Sequence, residues 1–155
     1  MEREAIERLL ENVRSGEVSI DDAMRRLREL PFEDLGYAKV DHHRALRKSF
    51  PEVIFCQGKA PEHVIGIIHA LRARSSIVLA TRATPELFAA VHAEVPDAVY
   101  HQQARIIQVG EPQPDPASKG SILVVSAGTA DIPVAEEAVV TAQAAGCTVE
   151  RLYDV

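Results

Sequence analysis

The sequence is poor in the residues that mark several protein classes. It has only two cysteines, Cys56 and Cys147, without metal-motif spacing or disulfide-scaffold density, so two mostly buried thiols are expected. It lacks a basic surplus. The formal charge is −6, which argues against general nucleic-acid binding and leaves room only for a local basic patch. No apolar run approaches the ~20 residues that a membrane-crossing helix needs. The first residues, MEREAIERLLENVRSG, are charged and amphipathic where a signal peptide has an apolar core. A cytoplasmic protein with no membrane partner is therefore expected. No Walker loop, dinucleotide G-x-G-x-x-G, nucleophile–base pair or pair of catalytic carboxylates occurs.

What is there is ordinary in bulk and informative in order. The 155 residues are 46% hydrophobic and 26% charged, enough for one respectable core or two small ones. Ile6, Leu9, Leu10 and Val13 recur at helical spacing until Gly16 stops them. Ser19 then caps a second helix with Ala23, Met24, Leu27 and Leu30 inward, ended by Pro31. Residues 1–31 thus read as a helical hairpin. Residues 31–52 break the periodicity and are dense in reactive side chains, and Asp41 is placed to cap a single helical turn through Leu46. From Val53 the pattern alternates. VIFC is a buried strand, and a helix opened by Pro61 carries Val64, Ile67, Ile68 and Leu71 on one face. Residues 76–81 form a second strand, and a helix started by Thr84 and Pro85 turns Leu87, Phe88 and Val91 inward. Strands at 99–101 and 105–109 read as a hairpin around Gln103. Strands alternating with helices predict a mainly parallel sheet covered by helices. GEPQPDPASKG (110–120) is the best candidate for a domain boundary. After it, residues 121–154 read as strand, small-residue turn, helix and strand. That helix is expected to bury Val134, Ala135, Ala138, Val139 and Ala142, and to expose Glu136, Glu137 and Gln143.

Three places can carry chemistry. At Ala127-Gly128-Thr129-Ala130-Asp131, small side chains bare backbone N–H groups at a helix start, the geometry that grips a phosphate. The Thr129 hydroxyl can donate to a phosphate oxygen. Asp131 either accepts from ribose hydroxyls or caps the helix ahead of Pro133, and the two roles are compatible. In Asp41-His42-His43-Arg44, adjacent histidines point about 100° apart on a helix and chelate poorly, so no metal site is expected. Anion recognition by Arg44 with His42 or His43 competes there with a polar capped turn. Arg82 ends an apolar strand, where α/β sheets hold ligands, and is placed to meet a carboxylate or phosphate. Thr84 reads as an N-cap, and His63, His69, His92 and His101 are scattered surface residues.

LGYAKVDHHRALRKSFPEVIFCQGKAPEHV (35–64), VLATRATPE (78–86) and SAGTADIPVAEEAVVTAQAAGCTVERLYDV (126–155) together resemble the LarB family, the pyridinium-3,5-biscarboxylic acid mononucleotide synthases. The resemblance runs from Phe32 onward and is most specific in VDHHRALR and GTxDxPVAEEA. After the helical hairpin (1–31), it implies the fold as well: a small mainly parallel three-layer α/β domain (32–110), a linker (111–120), and the first β-α-β unit of a PurE-like, flavodoxin- or Rossmann-like domain (121–155). Family members carboxylate the pyridinium ring of nicotinic acid adenine dinucleotide and cleave its phosphoanhydride, releasing AMP, to begin a nickel-pincer nucleotide cofactor. The resemblance implies carbon dioxide or bicarbonate as co-substrate, no tightly bound cofactor, magnesium as an optional ion, and a homo-oligomeric parent. It places nucleotide contacts at Ala127, Gly128, Thr129 and Asp131. Ala130 stands where the family commonly has serine, and Val40–Arg44 becomes a substrate-facing loop. The family's nucleophilic cysteine lies beyond the segment that matches Tyr153-Asp154-Val155. Neither Cys56 nor Cys147 occupies its place, so no catalytic residue is assigned. The expectation is a segment of a LarB-type enzyme, inactive by itself. A non-catalytic nucleotide- or protein-binding module is the alternative. An aminoimidazole ribonucleotide carboxylase of purine synthesis is weaker, because over a hundred residues precede the small-residue turn and its His-Arg pair is missing.

Overall fold

The computed structural model describes residues 3–27, 33–40, 52–73, 75–112 and 121–155. They fall into two compact units, Met1–Phe50 and Pro51–Val155. The Asp41-to-Leu46 turn and most of the 110–120 boundary lie outside the described residues.

In the first unit, helix α1 (Arg3–Ser15) and helix α2 (Ile20–Leu27) pack on each other as the expected hairpin. Gly16 takes φ +82°, a left-handed value cheap only for glycine, and its N–H returns to the Val13 carbonyl at 3.1 Å. Ser19 caps α2 as its chemistry demands. Its Oγ accepts from the Asp22 N–H at 3.1 Å and donates to the Asp22 carboxylate at 2.8 Å. The buried stripe is narrower than the periodicity suggests: Leu9 and Ala23 are buried, but Leu10 and Met24 are exposed. Two short helices touch along one seam, and residues one position off that seam stay outside it. Strands β1 (Glu33–Asp34) and β2 (Lys39–Val40) then form a small antiparallel hairpin. Its turn is made by Gly36, whose N–H donates to Asp34 Oδ1 at 2.8 Å. The loss of periodicity there hid this hairpin, since two-residue strands carry no readable alternation.

The second unit has a four-stranded sheet in the order β3-β4-β6-β5: β3 (Val53–Phe55), β4 (Ile77–Thr81), β5 (Val99–His101) and β6 (Ile106–Gly110). β3 and β4 are parallel, while β6 is antiparallel to both β4 and β5. Three strands thus run one way and the hairpin strand β6 is inserted against them. Helices α3 (Pro61–Arg72) and α4 (Pro85–Glu94) are the crossovers that keep β3, β4 and β5 co-directional. α3 buries Val64, Ile67, Ile68 and Leu71, the four residues its spacing predicts. α4 buries Leu87 and Val91 and half-buries Phe88, which stacks on Tyr100 with centroids 5.1 Å apart. Successive residues Ile77, Val78, Leu79 and Ala80 are all buried, so both faces of the sheet are covered, as a layered α/β fold requires.

Strands β7 (Ser121–Ser126) and β8 (Thr148–Tyr153) pair in parallel around helix α5 (Ile132–Ala144), which a 3-10 turn (Thr129–Asp131) introduces. This is the β-α-β unit the sequence announces, with one correction. α5 buries Ala135, Val139, Val140 and Ala144, whereas Val134 and Ala138 are exposed and Ala142 only half-buried. Glu136 and Glu137, expected outside, are drawn in instead. Glu136 Oε1 accepts from Arg151 Nε at 3.0 Å and from the Tyr153 hydroxyl at 2.7 Å, and Glu137 meets Arg82. Partners supplied by β8 and by the β4 end turn the helix away from its simplest apolar face.

Candidate functional site

The turn after β7 is open. Ala127, Gly128, Thr129, Ala130 and Asp131 are all exposed, so the nucleotide-binding reading is not blocked by packing. Gly128 sits at φ −105° and ψ 146°, a backbone any residue adopts, and a Cβ there would meet only Asp131 Oδ2 at 3.5 Å. Glycine is therefore not demanded by strain; what it supplies is access. Asp131 occupies the N-cap position of α5, but its carboxylate makes no capping hydrogen bond. Its N–H donates to the Gly128 carbonyl at 2.9 Å, which closes the 3-10 turn. The hydroxyl of Ser126, immediately before the turn, is buried without a hydrogen-bond partner among the described residues. Asp41, His42, His43 and Arg44 lie outside the described residues.

Arg82 stands at the mouth of a cavity of about 460 Å³ at the carboxyl end of the sheet. Three turns line it, one from each co-directional strand. The β3–α3 turn brings Cys56, Gly58 and Lys59, the β4–α4 turn brings Arg82, Thr84 and Glu86, and the β5–β6 turn brings Arg105. Each turn is fixed locally. The Cys56 N–H donates to the Thr81 carbonyl at 3.0 Å, and the Lys59 N–H donates to the Cys56 carbonyl at 2.9 Å. The Ala83 N–H donates to the Arg105 carbonyl at 2.8 Å, tying the second turn to the third. Thr84 caps α4 as expected, with its Oγ1 accepting from the Leu87 N–H at 3.2 Å.

The electrostatics of this cleft are uneven. Lys59 Nζ donates to the Phe55 carbonyl at 2.7 Å, leaving two of its three N–H groups for other partners. Arg82 Nη2 lies 3.2 Å from Glu137 Oε2, with the arginine about half exposed. The Glu86 carboxyl is held below its ordinary value by its own backbone N–H and by the Thr84 hydroxyl, so it stays ionised. Cys56 forms part of the wall. Burial pushes its thiol up to about 11 although Lys59 pulls the other way, so it is a neutral thiol at pH 7 and a poor nucleophile.

Sequence reasoning found Arg82 and missed its companions. Lys59 follows strand β3 as Arg82 follows β4, so the rule that placed one at a strand's carboxyl end applies to the other. Arg105 reads as the first residue of a strand; the structure starts that strand at Ile106 and gives Arg105 a left-handed φ of 54°. Glu137 was hidden because its partner is 55 residues away. Among the described residues no group of three His, Cys, Asp or Glu side chains could hold a metal ion. No helix among the described residues is long and apolar enough to cross a membrane.

Comparison with known proteins gives two findings. A family model described as the LarB/PurE-like N-terminal domain matches residues 32–111, which contain the cleft and the Asp41–Arg44 stretch but not the turn at 127–131. An uncharacterized protein of Methanocaldococcus jannaschii is 27% identical over 155 residues, covering 95% of this chain and 60% of that protein. The chain thus spans about 60% of the length of the curated relative it matches.

Proposed function

We propose, from the premise that this chain belongs to the LarB family, that it is the nucleotide-handling part of an enzyme acting on nicotinic acid adenine dinucleotide. In the overall reaction a pyridinium carbon exchanges its hydrogen for a carboxylate taken from carbon dioxide. Water then splits the phosphoanhydride, and AMP leaves. The observation that carries this reading is the family match over 32–111. The open turn at 127–131 supports it, since its exposed small residues lie just ahead of the N-terminus of a 13-residue helix, where an anion is favoured. Here the turn's backbone donors and the Thr129 hydroxyl receive phosphate oxygens, the uncapped Asp131 carboxylate accepts from a ribose hydroxyl, and Arg82 neutralises charge at the adjoining strand end.

The chemical step is assigned to neither cysteine of this chain. Cys56 is buried and neutral, and Cys147 follows α5 at the foot of β8, at the opposite end of the β-α-β unit from the turn. The 155 residues are accordingly proposed to bind the dinucleotide without turning it over. Calorimetry should show saturable binding of nicotinic acid adenine dinucleotide, weakened roughly tenfold or more in Asp131→Ala, the worth of a hydrogen bond to a charged group. Incubation with bicarbonate and magnesium should release no AMP. Absence of binding would remove the nucleotide reading, and AMP release by this chain would overturn the assignment of the chemistry elsewhere.

A further inference from the structure

We infer that the cleft at the carboxyl ends of β3, β4 and β5 is a second anion site, built for the phosphate or diphosphate of a small phosphorylated ligand. Four observations converge on it. First, Lys59, Arg82 and Arg105 come from three different turns and line one cavity, with Glu86 the only carboxylate in the lining. Three positive charges less Glu86 and the Glu137 carboxylate paired with Arg82 leave +1, which rises to +2 when a ligand displaces Glu137; a phosphomonoester carries about −1.5 to −2 at pH 7 and matches that displaced state. Second, this happens in a chain of net charge −6, so the local surplus runs against the whole.

Third, the backbone is strained where the cations sit. Among the described residues only Arg82, Arg105 and Asp154 are non-glycine residues with positive φ, and two of them are the cleft's arginines, at 57° and 54°. Left-handed backbone is costly for a residue that carries a Cβ and persists where surroundings enforce it, commonly at ligand sites. The 2.8 Å hydrogen bond from Ala83 to the Arg105 carbonyl holds the two strained turns together. Fourth, the cavity of about 460 Å³ exceeds what inorganic phosphate fills and lies within the range of small-ligand sites. A phosphorylated molecule of mononucleotide size is the class that meets both charge and volume.

Arg82 sets the affinity. It is shared with Glu137 of α5 at 3.2 Å, and the pair is solvent-accessible enough to open at little cost. An incoming phosphate competes with Glu137 for the guanidinium. Ligand in the cleft therefore loosens α5 from the end of β4, next to the turn at 127–131.

The assignment is tested by calorimetry on the 155-residue chain with inorganic pyrophosphate, AMP and adenosine. Pyrophosphate and AMP should bind and adenosine should not. Arg105→Ala and Lys59→Ala should each weaken AMP binding roughly tenfold or more. Arg105→Gly, which keeps the left-handed backbone without the guanidinium, should lose the same affinity while folding at least as well as Arg105→Ala, so that loss of binding cannot be read as loss of fold. Glu137→Gln should tighten binding two- to threefold by releasing Arg82. AMP and adenosine binding alike, pyrophosphate failing to bind, or an unchanged affinity in Arg105→Gly would overturn the site. An unchanged affinity in Glu137→Gln would overturn the three-cation assignment. Because Asp131→Ala reports on the other turn, loss of binding there with none in Arg105→Gly would sink this inference and leave the family reading standing.

Discussion

Cys56 shows how one residue's surroundings set a pH limit on the second unit. Its side chain is 3% exposed at the end of β3, and the neutral thiol is favoured because the thiolate would lose its water. The folded value is about 11 against an ordinary 9.0. Between those values the unfolded chain has released the proton and the folded chain still holds it. The folded state then binds more protons, so stability falls as pH rises from 9 towards 11. The expected loss is on the order of 1–3 kcal/mol, at about 1.4 kcal/mol per unit. Urea midpoints at pH 8 and pH 10.5 should therefore differ more for the native chain than for Cys56→Ala. Equal differences would mean that the thiol carries no linkage. The same burial makes Cys56 a slow target for alkylating agents at pH 8, while the half-buried Cys147 reacts first.

At the scale of elements, the longest apolar patterns were legible and the turns between them were not. Val64, Ile67, Ile68 and Leu71 are the buried face of α3 because four residues at helical spacing have one way to share a sheet. Ser19 and Thr84 were readable as caps because a hydroxyl at a helix start has a local donor within reach. The cleft was legible only at Arg82. Lys59 and Arg105 became its partners through strand order, which is non-local. Glu136 and Glu137 were misread because hydrogen bonds from β8 and an ion pair with the β4 turn outweigh the exposure that their charge suggests. Gly110 is the last residue of the 32–110 domain read from the sequence, and it closes β6 opposite Ile77, at φ +80°. A Cβ there would stand 2.1 Å from the Ser76 carbonyl oxygen, a contact that backbone must yield to. Gly110→Ala should therefore cost at least about 2 kcal/mol, summing a left-handed alanine and a displaced strand end. Gly58→Ala is the control. It has a similar φ of +78° and open space around it, so it should cost only the strain, about 1 kcal/mol. A Gly110→Ala variant no less stable than Gly58→Ala would show that the strand end relaxes freely.

Across the second unit as a whole, apolar side chains are not spent evenly. The β3–β6 sheet is covered on both faces, whereas the β7–β8 pair is covered well only where α5 meets it. Leu123, Val125, Leu152 and Val134 remain 46 to 62% exposed in the β7-α5-β8 group. A two-stranded pair with one helix has one buried seam, here Ala135, Val139, Val140 and Ala144, and that seam must carry the unit's local stability. The consequence is a sharp contrast within one small region. Val139 is fully buried, so Val139→Ala removes two methyl groups from a closed site and should cost about 2 kcal/mol. Leu123 is 54% exposed, so Leu123→Ala forfeits little burial and should change stability by less than about 0.5 kcal/mol, despite deleting the larger side chain. Denaturation midpoints of the two variants decide the matter. If Leu123→Ala costs as much as Val139→Ala in the same chain, that strand face is covered in solution, and the turn beside it at 127–131 is not the open anion site proposed above.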